Sequence, residues 1–200
     1  MNAKYLSMSL VGLGIVLSGA SASAQAPQPQ PNPRVVIETS EGDITVELLR
    51  SDARVSVSNF LTYVRDGFYD GTVFHRVIRN FMIQGGGLDE DLAPKTEGLR
   101  GGILNEATNG LKNERGTIAV ARTANPNSGT AQFFINTADN SALDHKNTTD
   151  AGYGYAVFGQ VVDGMDVVGT IERKPTYSTV TGLNDVPRLA ITINQIRRID

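Results

Sequence analysis

The chain of 200 residues contains no cysteine and no tryptophan, and it has only two histidines, His75 and His145. Without cysteine the fold needs no disulfide, and an oxidising compartment cannot damage it through thiols. Two histidines and no cysteine also argue against a structural zinc site. The sequence contains no G-x-S-x-G nucleophile elbow and no phosphate-binding glycine loop. Those absences disfavour the common hydrolases and nucleotide-binding enzymes.

A basic stripe is also missing. The formal net charge is −3, from 18 basic and 21 acidic residues, which argues against nucleic acid as a partner. The 40% hydrophobic and 20% charged content is ordinary for a globular protein. The 21 glycines and the short apolar runs indicate many turns and short strands.

The first 24 residues have the pattern of a secretory signal peptide. Lys4 is the only charged residue in this segment, an apolar run follows from Leu6 to Leu17, and Ala22-Ser23-Ala24 forms an A-x-A cleavage site. The run of about 12 residues is shorter than the roughly 20 that span a membrane. We therefore expect residues 1–24 to be removed, leaving a periplasmic protein with no stable membrane insertion. The alternative is an uncleaved membrane anchor.

Residues 25–33 (QAPQPQPNP) form a tether rich in proline and glutamine that lacks apolar bulk. Such a segment is typically extended or disordered. We expect a single domain to occupy residues 34–200.

Apolar alternation and turn residues predict the elements of this domain. Seven or eight short strands are predicted, at residues 35–39, 43–49, 72–78, 81–84, 117–121, 132–136, 155–162 and 189–196. One helix is predicted from its cap Ser56 to Asp66, ended by Gly67, and another from Asp163 or Gly164 to Arg173. The pattern indicates a mainly β fold, a closed eight-stranded antiparallel barrel. Side chains would fill its interior, so a site must lie on the outer wall.

The segment from Phe74 to Gly87 (FHRVIRNFMIQGGG) offers one cation, an apolar pair and an amide. Period two places Phe74, Arg76 and Ile78 on one face of their strand. A site of this composition can hold an apolar group and place hydrogen bonds, but it lacks a strong nucleophile or paired carboxylates. It favours a binding or conformational reaction over hydrolysis. The structural alternatives are a surface ion pair for Arg76, and a packing role for His75.

Four motifs together resemble the cyclophilin family of peptidyl-prolyl cis–trans isomerases. They are FHRVI at residues 74–78, FMIQGG at 81–86, QFFI at 132–135 and VFG at 157–159. The resemblance runs from about Val35 to Ile199. Residues 112–122 and 138–145 resemble the periplasmic members of Gram-negative bacteria in particular, in agreement with the signal peptide.

The resemblance implies a barrel with two capping α-helices, no cofactor, and proline-containing unfolded or exported polypeptides as partners. The residue composition already argues against a metal site. It implies Arg76 as the catalytic residue. It implies a substrate-binding role for nine further residues: Phe81, Met82, Gln84, Ala121, Arg122, Gln132, Phe134, Leu143 and Tyr155. Among these, residues 121 and 122 would meet the substrate through their backbone. We expect a monomer.

Ala142 departs from the family, in which many members carry tryptophan or another aromatic residue at this position. An alanine should open one side of the pocket, which argues against cyclosporin binding more than against catalysis. The sequence thus predicts a peptidyl-prolyl isomerase that assists folding of exported proteins. The alternative is a module that binds proline-containing peptides, or a chaperone, without turnover.

Overall fold

The computed structural model describes Met1 and residues 31–200. The predicted signal peptide, apart from Met1, and most of the tether lie outside the described residues. Within residues 31–200, ten strands and two α-helices follow the order β1 (Arg34–Thr39), β2 (Gly42–Leu48), α1 (Arg54–Arg65), β3 (Thr72–Ile78), β4 (Met82–Gly85), β5 (Thr117–Val120), β6 (Phe133–Asn136), β7 (Val157–Asp163), α2 (Met165–Glu172), β8 (Thr176–Tyr177), β9 (Val186–Pro187) and β10 (Thr192–Arg198).

Eight of these strands close a barrel in the order β1-β10-β3-β4-β6-β5-β7-β2, and every neighbouring pair is antiparallel. The predicted closed eight-stranded antiparallel barrel with two helices is therefore confirmed. The hairpin β8–β9 is separate from the barrel, and the sequence analysis did not predict it. Neither helix in residues 31–200 is long and apolar enough to cross a membrane.

Side chains fill the barrel interior, as expected for eight strands. In β2 the alternating residues Ile44, Val46 and Leu48 are fully buried. Phe60 of α1 packs its ring 5.2 Å from that of Phe158 and 5.6 Å, edge to face, from that of Phe133. The dense interior leaves the outer wall as the place for a binding site.

Both predicted helix caps are wrong. Helix α1 begins at Arg54, so Ser56 lies inside it, and the Glu106 carboxylate accepts hydrogen bonds from the N–H groups of Val55 and Ser56 and from the Ser56 hydroxyl. This distant acidic residue supplies the acceptor that a helix N-terminus requires. For α2, the Asp163 side chain accepts only from the Gly164 N–H and caps no helical amide.

The last strand is also displaced from its prediction. Strand β10 spans Thr192–Arg198, so Leu189 and Ala190 precede it. Leu189 is exposed, so it adds nothing to the barrel interior. The end of helix α1 agrees with the sequence: Gly67 follows it with φ +64°, the left-handed conformation that glycine adopts without strain.

Candidate active site

A β-bulge in β3 sets the direction of Arg76. Phe74 pairs with Gly85 of β4 and Arg76 pairs with Gln84, so His75 is an extra residue without a partner. A bulge breaks the period of two and turns the following side chains to the opposite face. Phe74 therefore packs in the interior while Arg76 lines an outer groove. The prediction that these two residues share a face is wrong.

Cross-strand pairing then continues the row of outward residues from Arg76. Gln84 of β4 pairs with Phe134 of β6, and Phe134 pairs with Ala119 of β5. Residues in register on neighbouring antiparallel strands have Cβ atoms roughly 5 Å apart. The barrel thus places a cation, an amide and an aromatic ring side by side on its outer wall.

This wall is the floor of a groove of about 600 Å³. All ten residues that the sequence assigned to a site line it: Arg76, Phe81, Met82, Gln84, Ala121, Arg122, Gln132, Phe134, Leu143 and Tyr155. Their convergence from three strands and three connecting segments is a geometric finding, and their individual roles stay predictions. Ala142 is exposed and is not among the lining residues.

One half of the groove is apolar. Met82 and Phe134 are only 2% and 4% exposed, and they form an outer cluster with Ala119 and Val157. The Phe134 ring meets the Tyr155 ring edge to face at 5.6 Å. The half-buried side chains of Phe81 and Leu143 complete the rim. A hydrophobic cluster that lines a groove can receive a small apolar ring against its surface.

A buried amide network fixes this rim. The Asn140 Nδ2 group donates to the Phe81 carbonyl at 2.7 Å and to the Asn136 side chain at 2.7 Å. Asn136 is fully buried and donates in turn to Asn113. The backbone carbonyl of Asn140 accepts from the Leu143 N–H at 2.8 Å. Phe81 is thus held by the side-chain network, and Leu143 by the backbone of the same residue.

The other half of the groove is polar. Gln84 donates from Nε2 to the Gln132 Oε1 at 2.9 Å, which orients both amides. The Arg122 guanidinium donates to several loop carbonyls, including those of Gly154 at 2.9 Å and Asp150 at 3.0 Å, and its carbon lies 4.7 Å from the centre of the Tyr155 ring. Through these hydrogen bonds the Arg122 guanidinium holds the neighbouring loops together.

Arg76 differs from Arg122 because its donors are available. Its side chain is 43% exposed, and its Nε lies 3.8 Å from Asp185 Oδ2, beyond hydrogen-bonding distance. No described residue accepts a hydrogen bond from the Arg76 guanidinium. A pair this exposed contributes little to stability. The guanidinium is therefore free to donate into the groove.

His75 is buried beside this cation, and its Nδ1 has no hydrogen-bond partner among the described residues. Burial lowers the pKa of His75 to about 4, with a smaller contribution in the same direction from the charge of Arg76 and an opposing backbone hydrogen bond at Val73. Desolvation disfavours the charged imidazolium. At neutral pH the ring is an uncharged packing group, as the structural alternative for His75 expected.

The loop that precedes β9 forms a wall that the sequence analysis missed. It contributes Gly182, Leu183, Asn184 and Asp185 to the groove. The turn-forming pair Asn184-Asp185 was the available signal, but such pairs are common in surface loops. Among residues 1 and 31–200, no group of three or more histidine, aspartate or glutamate side chains is placed to hold a metal ion.

Comparison with known proteins identifies the family of this chain. The sequence pattern described as "Cyclophilin type peptidyl-prolyl cis-trans isomerase/CLD" matches residues 34–198. The chain belongs to the cyclophilin family. The prediction of the cyclophilin family is confirmed, and so is the peptidyl-prolyl isomerase activity that membership of the family implies.

Bacterial relatives of the cyclophilin domain are similar over nearly their whole length. The peptidyl-prolyl cis-trans isomerase cyp18 of Streptomyces antibioticus is 50% identical over 163 residues, which are 82% of this chain and 96% of the relative. The peptidyl-prolyl cis-trans isomerase B of Escherichia coli K12 is 47% identical over 163 residues, covering 81% of this chain and 97% of that protein.

Solved cyclophilins share the architecture. A cyclophilin type peptidyl-prolyl cis-trans isomerase of Cryptosporidium parvum superposes with a TM-score of 0.67 at 27% identity, covering 84% of this chain and 98% of the other. The same protein was solved in the presence of the dipeptide Ala-Pro, with a TM-score of 0.66 and 28% identity, covering 84% and 99% of the two chains.

Proposed function

We propose that the groove on the outer wall is where the cyclophilin domain isomerises X–Pro bonds, with Arg76 as its catalytic residue. The bond before proline rotates slowly because its C–N bond is partly double, with a barrier of about 18–20 kcal/mol. Cis and trans forms differ by only about 0.5–1 kcal/mol. The reaction therefore needs no energy source, cofactor or covalent step, but only tighter binding of the twisted amide.

The arrangement of the groove suits this requirement. When the amide twists, the prolyl nitrogen regains a lone pair that a donor can meet only in that state. The unengaged guanidinium of Arg76 is a permanently charged donor, and it lies one strand from Gln84 and two strands from Phe134. The apolar half can hold the proline ring against Met82 and Phe134 while the carbonyl side turns.

The polar half supports the rest of the substrate chain. The amides of Gln84 and Gln132, already oriented by their mutual hydrogen bond, would meet the peptide backbone of the substrate. The backbone of Ala121 and Arg122 would contact the substrate peptide from the opposite side of the groove. The single observation that carries the proposal is the free guanidinium of Arg76 beside an open apolar pocket.

Cis–trans exchange of a short X–Pro peptide, followed by NMR, tests the proposal. We expect Arg76→Ala to reduce kcat/KM by roughly three decades, which corresponds to about 4 kcal/mol of transition-state stabilisation. Arg76→Lys should recover little of it because lysine lacks the planar fork. Peptide titration of Arg76→Ala should still shift the signals of the apolar half. An unchanged rate in a folded Arg76→Ala variant would contradict the assignment.

We further propose that the substrates are unfolded, newly exported chains in the periplasm, where uncatalysed proline isomerisation takes tens of seconds. The support is the sequence pattern of residues 1–24. Cell fractionation and N-terminal sequencing should recover a periplasmic protein that begins at Gln25, and size-exclusion chromatography should find it monomeric. We expect weak inhibition by cyclosporin, because the exposed Ala142 adds no wall to the groove.

A further inference from the structure

The loop at residues 178–185 is a built part of the groove. The Thr179 N–H donates to the Leu183 carbonyl at 2.8 Å, and the Leu183 N–H returns a hydrogen bond to the Thr179 hydroxyl at 3.0 Å. The loop is also tied to β3, because the Val77 N–H donates to the Asp185 carbonyl at 2.8 Å. These contacts use the backbone of Asp185 and fix its position beside Arg76.

The side chain of Asp185 remains open to a ligand. It is 40% exposed, and no described residue donates a hydrogen bond to it. Its backbone has φ +60°, a conformation that aspartate and asparagine tolerate better than most residues. Among the described residues that line the groove, Asp185 is the sole carboxylate.

The charges of the groove are consequently separated. Asp185 flanks β3, and Arg122 follows β5 on the other side, with β4 and β6 between the two strands. Strands about 4.8 Å apart place these two sides about 14 Å from each other. Arg122 binds neutral carbonyls, so its positive charge is not cancelled. The side of the groove next to β3 therefore carries a carboxylate beside a guanidinium, whereas the side next to β5 carries the Arg122 cation without a carboxylate partner.

We infer that Asp185 is a specificity-determining residue that favours substrates with a lysine or arginine on one side of the X–Pro bond. This inference rests on the proposed function of the groove. A substrate cation that approaches from the loop side meets the Asp185 carboxylate before it meets Arg76. A glutamate in the same place is repelled by Asp185, and it finds Arg76 already balanced by that carboxylate.

The expected effect has the size of an exposed charge pair. We expect a lysine-containing peptide to exceed its glutamate counterpart by about three- to fivefold in kcat/KM. The advantage should exist on one side of the X–Pro bond, because the carboxylate lies on one side of the groove. It should shrink as ionic strength rises from about 0.01 to 1 M, because screening shortens the Debye length from roughly 30 to 3 Å.

The test uses peptides with a common X–Pro core that carry one lysine, glutamine or glutamate, placed one or two residues before or after the core. NMR exchange rates are measured for the wild-type protein and for Asp185→Asn, which keeps the side-chain shape and the tolerance of positive φ. Asp43→Asn is the matched control, since it changes the net charge equally at an exposed position on β2, outside the groove.

We expect the lysine-to-glutamate ratio to fall to about one in Asp185→Asn and to stay at the wild-type value in Asp43→Asn. A wild-type ratio near one, an equal ratio on both sides of the core, or an unchanged ratio in Asp185→Asn would each overturn the inference. The proposed function fails separately: in that case the wild-type protein accelerates none of the peptides, or Arg76→Ala is as fast as the wild type.

Discussion

His75 is the extra residue of the β3 bulge, and burial of its ring couples the stability of the protein to pH. The folded protein holds the pKa of His75 at about 4, below the ordinary value of 6.5. Between these two pH values His75 is protonated in the unfolded chain but uncharged in the folded protein. The free energy of unfolding is therefore unaffected by His75 above pH 6.5, and it falls by at most about 3 kcal/mol as the pH decreases toward 4.

A comparison of the wild type with His75→Phe isolates this contribution, because titration of the carboxylates is common to both. We expect urea unfolding to give the variant a stability advantage that grows from pH 7 down to about pH 4 and then levels off. Isomerase activity of the folded variant should persist, because a neutral packing residue supplies no proton to the reaction. A difference in stability that is constant across this range would contradict the burial argument.

The neighbouring Arg76 shows what the sequence could and could not predict at this scale. Its motif identified it as the catalytic candidate, and the residue type fits the reaction. Arg76 was wrongly predicted to share a face with Phe74, because the pattern of apolar alternation does not reveal the extra residue of a bulge. The partner Asp185 lies 109 positions away in the sequence, and no local pattern connects the two.

Helix α1 depends on a single distant carboxylate at its N-terminus. Glu106 accepts three hydrogen bonds there, from two backbone N–H groups and the Ser56 hydroxyl. We expect Glu106→Ala to lower the free energy of unfolding by about 1–3 kcal/mol, since these donors lose their acceptor. Urea unfolding measures the change. The exposed Glu114→Ala is the matched control and should stay within about 0.5 kcal/mol of the wild type.

The short turn at residues 141–143 depends in a similar way on Asn140. The Asn140 side-chain amide joins the Phe81 carbonyl to Asn136, while the backbone carbonyl of Asn140 accepts from the Leu143 N–H and is kept in any variant. We expect Asn140→Ala to loosen the apolar rim and to lower kcat/KM by about tenfold, because displacement of binding groups by an ångström weakens catalysis.

Peptide titration by NMR should show weaker binding for Asn140→Ala under conditions in which the variant is fully folded. Asn147→Ala, at an exposed position outside the groove, serves as the control and should bind like the wild type. Unchanged affinity in folded Asn140→Ala would mean that Phe81 is held without the side-chain network.

Elements with strong periodicity were predicted well and their ends less well. Strand β2 alternates cleanly, so its buried residues followed directly from the sequence. The start of α1 was predicted wrongly because the acceptor for its first N–H groups, Glu106, lies 50 positions beyond Ser56. The sequence offered Ser56 itself as a local cap. The hairpin β8–β9 was missed because two-residue strands carry no period.

At the scale of the whole molecule, the barrel is closed by the pairing of its first and last strands. Strand β1 pairs with β2 on one side and with β10 on the other. The Ile199 N–H donates to the Arg34 carbonyl at 3.0 Å, and the Leu48 N–H donates to the Pro33 carbonyl at 2.8 Å. The sequence predicted a barrel from its number of strands, but the pairing of its first and last strands is a long-range property that only the folded chain displays.

This closure makes a sharp prediction about where the domain begins. A chain of residues 31–200 keeps Pro33 and all of β1, so we expect its Tm to lie within about 2 °C of that of the signal-free protein, with equal isomerase activity.

A chain of residues 40–200 lacks β1, which exposes the edges of β2 and β10 and removes the fully buried Val35 and Ile37. Each lost side chain removes about 1.5–3 kcal/mol of burial, and the ladder bonds on both sides are lost as well. That sum is comparable with the 5–15 kcal/mol by which a typical domain is stable. Circular dichroism and exchange kinetics should therefore find the shorter chain unfolded and inactive, and a folded, active 40–200 chain would show that closure by β1 is dispensable.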